Sequence, residues 1–268
     1  MNSLVKMDIF FKISRYYRYF RTAKSRYRIH SPFVFDFCRE VLIDLKEYPE
    51  YQLIESRRSL LKKNDTSIKV TDFGAGSSTL KGNERKISDI AKTSLKRKKY
   101  AQLLFRIARY FQPESTLELG TSLGVTSAYI GAGYQRGTLS TVEGCPEISR
   151  VAQAQFGALN IENIRPFVGN FDEVLPEILE KIGKLDMVFI DGNHREEPTY
   201  RYFEWCLKYS NNDTVFIFDD IHWSEGMEAA WEKVKAHPQV TLTMDLFELG
   251  LVFIRKEQKV VEHFVLKY

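Results

Sequence analysis

The chain has 268 residues, a formal net charge of +4, 44% hydrophobic and 28% charged residues, enough to bury a full core in one domain with an appended subdomain. It holds no apolar run near the ~18 residues that a membrane helix needs, and its basic start lacks the apolar stretch and cleavage site of a secretory signal, so neither a transmembrane segment nor a signal peptide is expected. Three widely spaced cysteines, Cys38, Cys145 and Cys206, argue against a disulfide framework or a zinc site and fit a cytoplasmic location.

Residues 1–30 carry eight Lys/Arg against one acid, Asp8. Phe10, Ile13, Tyr17 and Phe20 recur at roughly helical spacing, which predicts an amphipathic basic helix. Its aromatic stripe is expected to pack on the main domain, with membrane-surface or nucleic-acid contact as the alternatives. His30-Ser31-Pro32 breaks this helix, with Ser31 placed as an N-cap and Pro32 at the first helical position of a second helix over 33–45. Residues 1–62 are thus expected to form a helical, basic N-terminal extension. Residues 63–99 read as a flexible Gly/Lys-rich loop. Val70-Thr71-Asp72-Phe73-Gly74-Ala75-Gly76 mimics a cofactor fingerprint, but polar residues follow and no βαβ unit does. With Gly74, Gly76 and Gly82 supplying turns, this segment is expected to act as a lid that orders on ligand binding. The run 92–99 is strongly basic and leads into a helix over 100–111, which opens the main domain, 100–268.

From 115 onward strand and helix patterns alternate. Strands are expected near 115–119, 139–143, 164–168, 186–191 and 214–219, with helices near 123–134, 146–159, 172–182, 196–209 and 225–236. This alternation implies right-handed crossovers and a parallel sheet. The end differs: 240–247 and 251–255 read as two strands joined at Glu248-Leu249-Gly250, a connection short enough to demand antiparallel pairing. The fold expected is α/β: a Rossmann-like doubly wound sheet, mostly parallel, with a C-terminal antiparallel hairpin and a helical N-terminal extension.

Leu117-Glu118-Leu119-Gly120-Thr121-Ser122-Leu123-Gly124 reads as a strand stopping at a glycine-rich turn that opens a helix. Glu143, followed by Gly144, stands at the tip of the next strand. Glycines let backbone approach a ligand, and a carboxylate at that tip accepts hydrogen bonds from two ribose hydroxyls. The spacing E-x-G-x-x-x-G differs from that of pyrophosphate binders, so a nucleoside cofactor without phosphates is expected, S-adenosylmethionine (SAM) being the common one. In Val168-Gly169-Asn170-Phe171-Asp172, Asn170 and Phe171 suit the adenine end; helix capping by Asn170 or Asp172 is the simpler alternative. Asp191, Asp219 and Asp220 fall at strand ends, where open α/β sheets bind ligands. Three convergent carboxylates suit Mg²⁺ or Ca²⁺, unless they cap loops. His194 and His222 follow those acids and are candidate proton acceptors.

These motifs resemble the class I SAM-dependent methyltransferases over roughly residues 100–256, and within them the catechol and caffeoyl-CoA O-methyltransferase-like group. Glu118-Leu119-Gly120-Thr121-Ser122 matches the group's methionine-binding turn and Val142-Glu143 its ribose-binding acid. Asp186-Met187-Val188-Phe189-Ile190-Asp191 matches the strand whose last Asp binds metal. Asp219-Asp220-Ile221-His222-Trp223 is similar to the group's Asp-Asn-Val-Leu-Trp segment, which places Asp219 and Asp220 on the remaining metal ligands. Asp220 replaces an Asn, and His194 stands near where the group often has a catalytic Lys. Arg28-Ile29-His30-Ser31-Pro32-Phe33 resembles the N-terminal extension of uncharacterised bacterial methyltransferase-like proteins. The resemblance implies a SAM-binding methyltransferase domain over 100–268 that methylates the hydroxyl of a small molecule, with Asp191, His194 and His222 in catalysis and Asp191 also near the cofactor. A homodimer is a further expectation. An rRNA or tRNA methyltransferase using the basic segments, and a non-catalytic SAM-fold binding protein, are the competing readings.

Overall fold

The structure, a computed structural model, describes residues 3–71 and 83–268, with side chains from residue 11 onward. The glycines at 74, 76 and 82, on which the lid expectation turns, lie outside the described residues. In chain order the elements are helix α1 (Ser3–Thr22), a 3-10 turn (Arg26–Arg28), helix α2 (Pro32–Phe37) running into a π turn (Cys38–Leu42), and helix α3 (Pro49–Leu61). Strands β1 (Ser67–Lys69) and β2 (Glu84–Lys86) and helices α4 (Ile87–Thr93) and α5 (Lys98–Phe111) follow. Next come β3 (Ser115–Leu119), α6 (Val125–Gly133), β4 (Thr138–Glu143), α7 (Pro146–Ala158), β5 (Ile164–Val168), α8 (Phe171–Ile182) and β6 (Leu185–Ile190). The chain ends with α9 (Glu196–Leu207), β7 (Ser210–Asp219), α10 (Glu225–Lys235), β8 (Leu242–Asp245), β9 (Leu249–Phe253) and β10 (Glu262–Val265). The fold is mixed α/β and Rossmann-like, its central sheet mostly parallel with antiparallel strands toward the C-terminal side. Among the described residues no helix is long and apolar enough to cross a membrane.

The chain divides into two compact units, 44–187 and 1–43 with 188–268. In the unit 44–187, β3, β4 and β5 pair in parallel, with Glu118 opposite Thr141 and Val142 opposite Phe167. β3 and β4 are buried along almost their whole length, the pattern of strands covered on both faces, and Thr116, Glu118, Ser140 and Thr141 are buried within them. Helix α5 turns Leu103, Leu104, Ile107 and Ala108 inward, all fully buried. Helix α3, which the sequence analysis did not find, adds Tyr51 and Ile54 to a cluster with Ile87 and Ile90 of α4 and Tyr129 of α6. β1 and β2 pair antiparallel, so part of the segment expected as a loop is a short ladder.

In the other unit, β7 pairs antiparallel with β9, β9 with β8, and β10 lies parallel beside β8. The C-terminal hairpin is as expected; β10 was not. The hairpin turn also sits earlier than expected, because Leu249 and Gly250 already belong to β9. Asp245 Oδ1 accepts from the Phe247 N–H at 2.8 Å, and Phe247 takes a left-handed φ of 73°. The capping carboxylate thus makes a turn without glycine, as Asp side chains do in Asx turns. Helix α1 packs in this unit through Tyr19, whose hydroxyl donates to Leu266 O at 2.5 Å and accepts from Tyr268 N at 3.1 Å. Burial pushes that hydroxyl up to about 12. The stripe expected to pack on the main domain instead faces out at its described members, Ile13, Tyr17 and Phe20, and the buried residue is Tyr19, outside that stripe.

Candidate functional site

The glycine turn after β3 is built by backbone conformations that few residues adopt. Gly120 has φ 105°, Ser122 φ 48° and Gly124 φ 79°. Gly120 N–H and Thr121 N–H both donate to Val142 O, at 3.0 and 3.3 Å, which ties the turn to β4. Gly124 is the N-cap of α6. A Cβ there would lie 2.8 Å from Phe156 Cε1 and 2.9 Å from Ala152 Cβ. The second glycine of the motif therefore serves the packing of α6 on α7 as well as the turn itself.

Glu143 at the tip of β4 joins two loops. Its Oε2 accepts from Ser122 N–H at 2.9 Å and its Oε1 from Cys145 N–H at 3.0 Å, at the start of α7. A carboxylate offers about four acceptor positions, so both oxygens can serve backbone and ligand hydroxyls together. Its carbonyl accepts from Gly169 N–H at 3.0 Å, which fixes the loop after β5. In that loop Asn170 caps α8, its Oδ1 accepting from Asp172 N–H at 3.2 Å. The capping role considered for Asn170 is therefore present; Phe171, the first residue of α8, is half-buried. Gly144, between Glu143 and Cys145, is half-buried too.

Glu118 is placed differently from Glu143. It is fully buried and its Oε2 accepts from Ser127 Oγ of α6 and from Thr141 Oγ1 at 2.6 Å. The Thr121 hydroxyl joins the same knot, 2.6 Å from that of Thr141. The other carboxyl oxygen, Oε1, is buried without a hydrogen-bond partner. Burial pushes the carboxyl up to about 7, against the two hydroxyl donors, and the neighbouring Glu143 charge adds to the rise. Glu118 therefore supports the turn from beneath.

In the unit that holds 188–268, Asp191 directly follows β6. Its Oδ1 lies 3.5 Å from His194 Nε2, and both side chains are half-buried. Asn193 and His194 are consecutive left-handed residues, φ 69° and 41°, uncommon for non-glycine residues. Asp219 ends β7 and is 2% exposed. Asp220 has φ 53°, its N–H donating to Glu248 O at 2.7 Å and its carbonyl accepting from Trp223 N–H at 2.9 Å. His222 is enclosed by carboxylates: Nδ1 is 3.0 Å from Glu228 Oε1 and Nε2 is 2.8 Å from Asp245 Oδ2. Burial opposes a charged ring, but Asp245 and Glu228 outweigh it and raise the imidazole's pKa. Two ionised carboxylates both accept only when both ring nitrogens donate, so Glu228 and Asp245 favour the imidazolium, the form with no lone pair left to take a proton.

Residues 117–221 match a family whose description is a methyltransferase domain. Catechol O-methyltransferase of Niastella koreensis is 30% identical over 126 residues, 46% of this chain and 55% of that protein. The chain spans about half the length of the curated relatives it matches. Among solved structures it is similar to the O-methyltransferase TomG from Streptomyces achromogenes in complex with SAM, with a TM-score of 0.53 and 22% identity over 60% of this chain and 82% of that one. It is also similar to the O-methyltransferase from Bacillus cereus in complex with SAH (S-adenosylhomocysteine), with a TM-score of 0.53 and 17% identity over 82% and 97% of the two chains. Residues 117–221 are thus similar to a methyltransferase domain, and the fold is one that O-methyltransferases share.

The metal set expected from the resemblance is not found grouped among the described residues. Among the described residues no three His, Cys, Asp or Glu side chains are grouped so as to hold an ion. Asp219 is packed at its strand end, Asp220 is held in a left-handed turn against Glu248, and Asp191 faces His194. The sequence analysis also missed Glu228 and Asp245, the partners that settle the state of His222. A carboxylate at 228 on the first turn of α10 reads as ordinary dipole compensation, and only the fold turns it toward residue 222.

Proposed function

We propose that this protein transfers a methyl group from SAM to the hydroxyl of a small molecule. The observation that carries the reading is Glu143: a carboxylate at the tip of a parallel strand, aligned by the N–H groups of Ser122 and Cys145 beside a left-handed glycine turn. Such a group suits the two adjacent hydroxyls of a ribose. The backbone of Gly120, Thr121 and Ser122, with Gly144 alongside, is assigned to the methionine end of the cofactor, and Asn170 and Phe171 to the adenine. Glu118 holds this turn in shape through Ser127 and Thr141.

Bound SAM supplies an electrophilic methyl carbon on a sulfonium that departs readily. What the protein must add is alignment of the acceptor oxygen, worth up to ~7–11 kcal/mol, and removal of its proton. Proton removal is assigned to His194, with Asp191 orienting the ring and stabilising the imidazolium that forms. The paired left-handed residues at 193 and 194 support this, since backbone strain of this kind gathers at functional sites. His222 is assigned to structure, and no step is routed through a metal.

Titration calorimetry with SAM and SAH on the wild type and Glu143→Ala tests the cofactor seat. The variant should lose two charge-assisted hydrogen bonds, roughly 1.5–3 kcal/mol each, or at least about a hundredfold loss of affinity. Equal affinity in a folded variant would sink the assignment. Transfer of labelled methyl to a panel of phenols and catechols, with His194→Ala silent, tests the reaction.

A further inference from the structure

Helix α1 has two unlike faces. One is anchored: Lys12 Nζ sits 3.1 Å from the centre of the Trp223 ring, Arg15 Nε reaches Glu228 at 2.9 Å, and Tyr19 bonds Leu266 O. The other carries Ile13, Tyr16, Tyr17 and Phe20 at 61%, 53%, 61% and 58% exposure. Positions 13, 16, 17 and 20 recur at the spacing of a single helix face. Of the four, Tyr16 lies at the edge of the row toward the anchored face, 6.2 Å from the Tyr19 ring and edge-on to Phe247 at 5.1 Å. The anchoring contacts hold the helix without the stripe, so a row of large apolar side chains is left in water. Single exposed apolar residues need no explanation, but a contiguous row does.

The charge around the row decides what it fits. Arg18, Arg21 and Lys24 are exposed beside it, and no Asp or Glu occurs anywhere from 11 to 28. The Arg21 guanidinium lies 5.8 Å from the Tyr17 ring, and Lys267 Nζ 5.5 Å from that of Phe20. Apolar rings flanked by cations, lying along a helix flank, match the boundary between acyl chains and anionic headgroups. A second copy of the chain would bring like charges face to face. A nucleic acid would use the cations but leave Ile13 and a convex row of rings without a groove to fill.

We propose that this outward face of α1 docks on an anionic lipid surface. The proposal is independent of the methyl-transfer reading. Co-sedimentation of the full chain with vesicles tests it, comparing phosphatidylglycerol–phosphatidylcholine mixtures with phosphatidylcholine alone. Binding should be at least about tenfold tighter to the anionic vesicles and weaken with salt. Arg18→Glu/Arg21→Glu and Tyr17→Ser/Phe20→Ser should each lower it by about tenfold or more while leaving the circular dichroism spectrum and thermal midpoint unchanged. No binding to anionic vesicles, or binding that both folded variants retain, would overturn the proposal. So would a dimer that the Tyr17→Ser/Phe20→Ser pair dissociates, or single-stranded RNA bound more tightly than the vesicles through the same residues.

Discussion

Two carboxylates 25 positions apart in the sequence have opposite assignments because of what surrounds them. Glu143 accepts N–H bonds at a half-buried strand tip, while Glu118 is sealed beneath α6. With its carboxyl raised from 4.5 to about 7, Glu118 holds its proton more tightly in the folded state than in the unfolded one. The stability tied to that proton is fully present below pH 4.5 and is lost as pH rises through 7. The loss amounts to about 3 kcal/mol by pH 8. Glu118→Gln, which cannot ionise, should therefore gain on the wild type by about that amount between pH 4.5 and pH 8, read by urea unfolding at both. His222 behaves in the opposite chemical sense but with the same sign. Its raised pKa stabilises the fold below the ordinary value of 6.5, and the effect disappears as pH rises through the folded value. His222→Gln should cost roughly 2 kcal/mol at pH 6 and progressively less as pH rises through the raised value of the folded imidazole, where the charged bonds to Glu228 and Asp245 are lost from the wild type.

At the scale of elements, the turn between β3 and α6 depends on the close approach of α6 to α7. Gly124→Ala would place a methyl 2.8 Å from the Phe156 ring, at a φ of 79° that L-residues avoid. The strain and the overpacking together should destabilise the protein by about 2–4 kcal/mol. SAM affinity should fall with it, because Ser122 N–H would shift from Glu143. Chemical unfolding paired with calorimetry on the same variant checks both. Helix α1 is held by the opposite kind of contact, long side chains reaching non-local partners: Arg15 and Glu228 are 213 positions apart. A helix fixed in this way can keep one face turned to an outside surface without loss of its own anchoring.

For the whole molecule, a ligand that binds only the folded state stabilises it by mass action. At ~100 times its dissociation constant SAH should add ~2.7 kcal/mol, or about 5–10 °C in thermal midpoint for a chain of this size. The shift should vanish in Glu143→Ala and persist in His194→Ala, since only the first residue is assigned to the cofactor. A shift lost in both variants would place His194 in the cofactor seat rather than at the acceptor oxygen.

The sequence by itself determined the alternation of strands and helices from 115 to 235, the antiparallel C-terminal pair, the glycine turn and the acid at the tip of β4. All of these are local: each rests on periodicity or on a few consecutive residues whose conformations are coupled along the chain. The boundaries fell close for the same reason, except at β7, which begins at Ser210 rather than 214. Tertiary structure alone decided that Glu118 is enclosed and Glu143 is not, because the difference comes from Ser127 and Thr141 meeting one carboxyl across a helix and a strand. It alone decided that the imidazolium of His222 is favoured, since Glu228 and Asp245 reach it from α10 and β8. The three aspartates expected to share an ion were read from position at strand ends, but position does not fix where a side chain points once each backbone has its own turn and partner. Strand β10 and helix α3 escaped notice because what defines them is the neighbour they pack on, which no window of sequence contains.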